Sequence, residues 1–299
     1  MPNQILIRGE KPEELPNPSV HEGFRKARPT LFAPLQIDAY QRVKEGRSCA
    51  LVAPTSSGKT LAVAAPLFES KRPAVFVLPF RSLIRDQTHE LPRIASIFGI
   101  DESRFGVIQG GTREKEIGDI LEHCDYILMT PDKLISLLIT GRKGNAAALS
   151  ILSRYDFVFD EIHVFNAMML TSLRYFLRSV KHWQIRKRKK SGFYFLSATF
   201  PDEVWQMLQE EIGLDNSDRI EGISYTGDVT LKIRPAKETN IAVIADDIRA
   251  LDIETDMVGI FNSAHRAWQV CEEIGGLLFI GQDKMSEVDR IRNFDNFRD

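Results

Sequence analysis

The chain has 299 residues, 43% hydrophobic and 27% charged, enough apolar content for one large or two ordinary cores. Its 39 basic and 41 acidic residues nearly cancel, so a polyanionic partner must be held by a local groove and not by the field of the whole molecule. Three widely spaced cysteines (Cys49, Cys124, Cys271) make no CxxC pair, which argues against a disulfide framework or a zinc site, and no apolar run nears the roughly 20 residues of a bilayer span; a soluble cytoplasmic protein with no membrane partner is expected.

The N-terminus, MPNQILIRGEKPEELPNP, contains one short apolar run followed by charges and prolines, too little for a signal-peptide core, and residues 1–23 read as an N-terminal extension. Gln36 follows in PLQIDAYQRV, where a side-chain amide can read adenine bidentately. ALVAPTSSGKT then combines a strand, a loop of small residues (Ala53, Thr55, Ser56, Ser57) and a helix opened by Gly58, Lys59 and Thr60. In such a phosphate loop backbone N–H groups cradle a β-phosphate, the lysine reaches the γ-phosphate and the threonine hydroxyl ligates magnesium. Ala53 stands where the usual first glycine would be.

Further apolar runs follow in AVFVLPF, FGVIQGG, YILMTP, DFVFDE and FYFLSATF, separated by helical spacing such as RSLIRDQTHELPRIASIF. Continuous hydrophobicity predicts strands covered on both faces, hence an α/β fold: a doubly wound, mostly parallel sheet over residues 24–224. Ligands of such sheets bind beyond the carboxyl ends of the strands, so the polar residues after each run are the candidate site. In TPDKL, Thr130 is expected to cap a helix with Pro131 at its first position. In DFVFDEIH, Asp160 is placed to hold magnesium and Glu161 to polarise water as a general base. In LSATFPDEVWQML, Thr199 is expected to cap a helix with Asp202 completing a capping box. The cations of WQIRKRKKSGF, Arg186 to Lys190, read as a solvated loop, and Trp183, Trp205 and Trp268 as core.

After LQEEIG the texture turns polar, with Gly and Pro, and residues 225–240 read as a linker. Apolar runs resume in IAVIADD, MVGIFNS and GLLFIG around a helical AHRAWQVCEEIG, so residues 241–299 are expected to begin a second α/β unit without completing it.

Taken in order, Gln36, APTSSGKT, LPFRSLIRDQ, QGG, TPDKL, DEIH and LSAT resemble the first RecA-like lobe of the superfamily 2 DExH-box helicases. The resemblance implies ATP and Mg2+ as cofactors and a track for single-stranded DNA lined by Arg81, Ser82, Gly110, Gly111, Thr130 and Lys133. It also implies that His163, Ser197 and Thr199 couple hydrolysis to lobe movement. MVGIFNSAHRAWQVCEEI is similar to the opening of an incomplete second RecA-like lobe, where Asn262 and Ser263 would contact the strand. DEIHVFNAMM followed by LSATFP looks most like the Cas-three helicase of type I CRISPR interference, which implies antiviral defence with an RNA-guided CRISPR surveillance complex. No His-Asp dipeptide occurs among the six dispersed histidines, so an HD nuclease is not expected in this chain and a separate nuclease subunit is implied. No arginine-rich closing motif occurs before Asp299, so weak hydrolysis is expected of this chain alone. A repair or RNA helicase of the same superfamily, and a non-catalytic nucleotide- and DNA-binding docking module, are the alternative readings.

Overall fold

The computed structural model describes residues 3–7, 14–32, 34–54, 57–139, 154–187, 191–222, 229–233, 240–242, 245–246 and 264–274. The strands are β1 (Asn3–Ile7), β2 (Glu14–Pro16), β3 (Thr30–Phe32), β4 (Cys49–Val52), β5 (Ala74–Val77), β6 (Phe105–Ile108), β7 (Tyr126–Met129), β8 (Asp156–Phe159), β9 (Phe193–Ser197), β10 (Arg219–Glu221) and β11 (Val229–Ile233). The helices are α1 (Glu22–Ala27), α2 (Pro34–Lys44), α3 (Lys59–Glu69), α4 (Arg81–Ser96), α5 (Glu114–His123), α6 (Pro131–Ile139), α7 (Ala167–Lys187), α8 (Asp202–Ile212) and α9 (Ala264–Ile274). Two compact units result: Ile7–Val229, and Met1–Leu6 with Thr230–Asp299.

The larger unit is built on a seven-stranded sheet in the order β10-β4-β9-β8-β5-β7-β6, with every neighbouring pair parallel. Its strands are apolar on both sides because each face supports its own core. Cys49, Leu51, Ala74, Phe76, Tyr126, Leu128, Val158, Tyr194 and Leu196 face one cluster, together with α2, α3 and α4. Their neighbours Ala50, Val75, Val77, Ile127, Met129, Phe157, Phe159, Phe193 and Phe195 face the other, with α6, α7 and α8. Period-two alternation thus distributes one continuous apolar run between two interiors, and each full burial of such a side chain contributes about 1.5–3 kcal/mol.

On the second face an aromatic rank stiffens the middle of the sheet. Phe157 stacks on Phe193 at 5.7 Å and Phe159 on Phe195 at 5.3 Å, while Phe176 of α7 meets Phe157 edge-on at 4.8 Å. These rings hold β8 and β9 flat against each other just before their carboxyl ends, where Asp160 and Ser197 emerge.

The doubly wound sheet expected from the apolar runs is present, and it contains one strand that the pattern did not announce. β10 has a single apolar residue, Ile220, between Arg219 and Glu221, and it pairs with β4 at the sheet edge. The IAVIADD segment differs from expectation: residues 241–242 and 245–246 are helical. In the smaller unit β1 pairs with β11, and α9 forms where AHRAWQVCEEI predicted it. The apolar runs MVGIFNS and GLLFIG lie outside the described residues. Among the described residues no helix is long and apolar enough to cross a membrane.

Candidate functional site

Parallel pairing sends the carboxyl ends of β4 to β9 to one edge of the sheet, and the sheet order sets the loops after β4, β9 and β8 side by side. At the first, Gly58 caps α3 in the left-handed region (φ +75°), where a side chain is strained, and a Cβ there would run into the Gln36 amide. Gln36 is 4% exposed. Its Nε2 donates to Ser57 O at 3.1 Å, whereas its Oε1 is buried without a partner, as is the Ser57 hydroxyl. Thus the donor end of the amide is anchored to the loop and the acceptor end is free to accept from an amino group such as that of adenine. Thr55 and Ser56 lie outside the described residues.

Lys59 does not point outward. Its ammonium donates to Ala53 O at 2.7 Å and Pro54 O at 2.9 Å, and burial lowers its pKa against the opposing charges of Glu161 and Asp160. Ala53 in turn donates its N–H to Ser197 O, tying the loop to β9.

Thr60 Oγ1 donates to Asp160 Oδ2 at 3.1 Å, and Asp160 Oδ1 accepts from Glu161 N at 2.9 Å. Asp160 is 8% exposed; burial, with the neighbouring Glu161 charge, pushes its pKa up to about 6, although the hydrogen bonds and Lys59 pull the other way. A buried carboxylate and a hydroxyl are the hard oxygen donors a divalent cation takes, and such a cation would also relieve the carboxylate's desolvation. The residues therefore fit magnesium.

Glu161 is held at φ +50°, ψ +45°, a left-handed conformation that costs a non-glycine residue on the order of 1–2 kcal/mol. This bend opens a short 3-10 turn, Ile162–Val164, and returns His163 toward β9. The His163 Nδ1 is a meeting point: Glu161 Oε2 is 3.2 Å away, Ser197 Oγ 3.3 Å and Ala198 N 3.5 Å. Glu161 Oε2 has no aligned hydrogen-bond donor, so the carboxylate is turned inward with an acceptor to spare.

Thr199 is exposed, and its carbonyl accepts from the Ser197 hydroxyl. It does not cap α8, contrary to the sequence expectation. Pro201, extended at φ −58° and ψ +142°, occupies the cap position, and the helix begins at Asp202 with no side-chain cap.

The remaining candidates follow β5, β6 and β7. Arg81 and Ser82 open α4 and are exposed; the Arg81 guanidinium lies where a Cβ on Gly110 would sit, and Gly111 adopts φ +98°. Thr130 O accepts from Lys133 N and Leu134 N at 3.1 Å, with Pro131 first in α6 as expected. Asn262 and Ser263 lie outside the described residues. The basic cluster begins on α7, which runs to Lys187, and not in a loop; its side chains, with those of Trp183 and Trp268, are likewise outside them. Trp205 is core, edge-on to Phe200, its indole N–H donating to Asn216 Oδ1. Sequence reasoning passed over Phe80, which is 51% exposed and directly precedes Arg81. Its signal was an aromatic at a helix-cap position.

Residues 33–207 match the family described as DEAD/DEAH box helicase. Two Bacillus subtilis (strain 168) proteins are similar: the Uncharacterized ATP-dependent helicase YprA (28% identity over 49% of this chain and 20% of that protein) and the Probable ATP-dependent RNA helicase YfmL (26%, 63% and 46%). Among solved structures, DUF1998 helicase MrfA bound to DNA and AMPPNP superposes with a TM-score of 0.71 at 20% identity, covering 91% of this chain and 41% of that one. The chain thus spans less than half the length of each of these proteins. Its fold is the α/β RecA-like fold of these helicase structures.

Proposed function

Because the chain belongs to the DEAD/DEAH box helicase family, we propose that it is an ATP-dependent motor of superfamily 2 that tracks on single-stranded DNA. The observation that carries this reading is the convergence at one sheet edge of Thr60 with Asp160, and of Glu161 with His163 and Ser197. ATP, with its divalent cation, supplies the phosphoanhydride whose cleavage drives such a motor.

The residues divide the work. Gln36 would read the base with its free Oε1, while Ala53, Thr55, Ser56, Ser57 and Gly58 would cradle the phosphates. Lys59 would leave the Ala53 and Pro54 carbonyls to neutralise phosphate charge, and Thr60 and Asp160 would hold magnesium. Glu161 would take the proton of the attacking water. His163 links that carboxylate to Ser197 and so to Thr199, a route by which loss of the γ-phosphate reaches the loop after β9. Arg81, Ser82, Gly110, Gly111, Thr130 and Lys133, with Asn262 and Ser263, would carry the strand.

Glu161→Gln is the direct test. It is expected to leave nucleotide binding intact and to lower nucleic-acid-stimulated hydrolysis by roughly 10²- to 10⁴-fold, the usual contribution of a general base. Unchanged hydrolysis would remove Glu161 from the role of base, whereas a biological output that survives the loss of hydrolysis would exclude the motor reading and leave a docking module.

The strand's identity admits a second reading, since YfmL is named as a probable RNA helicase. Stimulation of hydrolysis by single-stranded DNA over an RNA of the same sequence supports DNA; the reverse order assigns RNA. The biological setting rests on DEIHVFNAMM and LSATFP, which point to the helicase of type I CRISPR interference, acting with an RNA-guided surveillance complex and a separate nuclease subunit. A reconstituted surveillance complex on its target duplex is expected to recruit this protein and show ATP-dependent unwinding. No recruitment would remove the CRISPR assignment and leave the motor untouched.

A further inference from the structure

We infer that Phe80 is a stacking platform for an unpaired nucleobase of the tracked strand, an assignment that rests on the motor reading above. Two local rules are broken at this one residue. First, Phe80 occupies the cap position of α4 (φ −127°, ψ +145°) and offers no side-chain hydrogen bond to the helix N-terminus. Ser, Thr, Asp or Asn normally stands there because its oxygen satisfies one of the orphan N–H groups. Second, the residue is 51% exposed, whereas Phe76, Phe157 and Phe195 of the sheet are each 2% exposed or less. The residue therefore contributes neither a side-chain cap nor a fully buried core side chain.

Phe80 lies beyond the carboxyl end of β5, directly before Arg81 and Ser82, and the Arg81 guanidinium rests over Gly110 of the next loop. The absence of a Cβ at 110 lets the guanidinium of Arg81, in the loop after β5, approach the backbone of the loop after β6. A cation and a hydroxyl for the sugar-phosphate backbone thus directly follow a ring of the right kind for a base. Stacking of this sort is indifferent to sequence, because every base has a π-face, which suits a motor that must read any strand it meets. Since the sugar takes no part in stacking, single-stranded DNA and RNA would both use the platform.

The test separates stacking from charge and from folding. Phe80→Thr and Phe80→Trp are made in the full chain, and binding is measured to single-stranded DNA, to RNA of the same sequence, and to an abasic strand of the same length. Phe80→Thr is expected to weaken binding to base-bearing strands roughly five- to hundredfold, the range for loss of one stacked base, and to leave the abasic strand unaffected. Phe80→Trp is expected to restore affinity. A fluorescent base analogue in the strand should be quenched by the wild-type chain and by Phe80→Trp but not by Phe80→Thr. The thermal midpoint of Phe80→Thr should hold or rise, because threonine restores a cap; a fall would assign the ring to packing and overturn the proposal. Equal loss on abasic and base-bearing strands would also overturn it, in favour of a distorted phosphate track. If the wild-type chain binds none of the strands, the motor reading falls with it; if it binds and Phe80→Thr binds as well, only the platform is lost.

Discussion

Asp160 is a carboxylate that folding makes costly and that a ligand would make useful. Its pKa rises from 3.8 to about 6 chiefly because burial strips its water, with Glu161 adding repulsion, while Lys59 is turned onto the Ala53 and Pro54 carbonyls. A folded value above the unfolded one means that the native state holds the proton more tightly. Stability is therefore greatest below about pH 4 as far as this group is concerned, and it falls as pH rises through about 6. Asp160→Asn is accordingly expected to raise stability at neutral pH by on the order of 1–3 kcal/mol, with the gain fading as pH falls from about 6 to about 4. Thermal melts across that range check this, and a gain independent of pH would show that the carboxylate is not strained. Magnesium with ATP should stabilise the wild-type chain more than the variant. The placement of Gly58, Lys59, Thr60, Asp160 and Glu161 just beyond β4 and β8 was legible from the sequence, because a phosphate-loop pattern sets residue types at fixed offsets from a strand. The left-handed backbone of Glu161 and the inward pose of Lys59 were not, since both depend on contacts between β4, β8 and β9 that no local window contains.

At the scale of elements, the two helices that carry Gln36 and Lys59 are braced at their far ends by one acid. The Glu69 carboxylate, at the end of α3, accepts from Ser19 Oγ and Val20 N at 2.8 Å, His21 N at 2.9 Å, Tyr40 Oη of α2, and Lys44 Nζ of α2 at 3.2 Å. His21 then caps α1, whose Phe24 packs on Phe98 at 5.0 Å. Burial alone would raise the Glu69 pKa, but the bonds from Tyr40, Ser19 and Lys44 outweigh it and the net shift is downward. The brace therefore contributes fully above the ordinary carboxylate range and is lost as pH falls through the lower folded value. Glu69→Gln keeps the shape but not the charge, and is expected to cost about 1–3 kcal/mol in urea unfolding at neutral pH. The gap to the wild type should close in acid; a constant gap would mean that the charge does not matter. No sequence pattern announced this link, because its partners lie up to 50 residues apart and residues 14–21 show no periodicity. The same holds for the start of α8, where Thr199 looked like a cap until Pro201 took the position.

At the scale of the molecule, the six apolar runs from ALVAP to FYFLSATF each became a strand, because hydrophobicity on both faces leaves a short segment no stable place other than a covered parallel sheet. The order β10-β4-β9-β8-β5-β7-β6 was not legible, since it depends on which crossovers pack over which face, and β10 is too short and too charged to stand out. Yet that order is what brings the loops after β4, β8 and β9 together, so the site is a property of the topology and not of any one motif. Both apolar clusters consist of residues from Ile7–Val229, and the sheet is closed on both faces within that unit. A fragment of residues 7–229 is therefore expected to fold alone, with one cooperative thermal transition. It should also bind nucleotide, because Gln36, the phosphate loop and Asp160 all belong to it. ATP with magnesium at a hundred times its dissociation constant would add about 2.7 kcal/mol to its stability, and Lys59→Ala should abolish most of that rise. A broad, uncooperative melt of the fragment would show that its two cores do not suffice. A sharp melt without any response to nucleotide would place part of the binding energy in residues outside it.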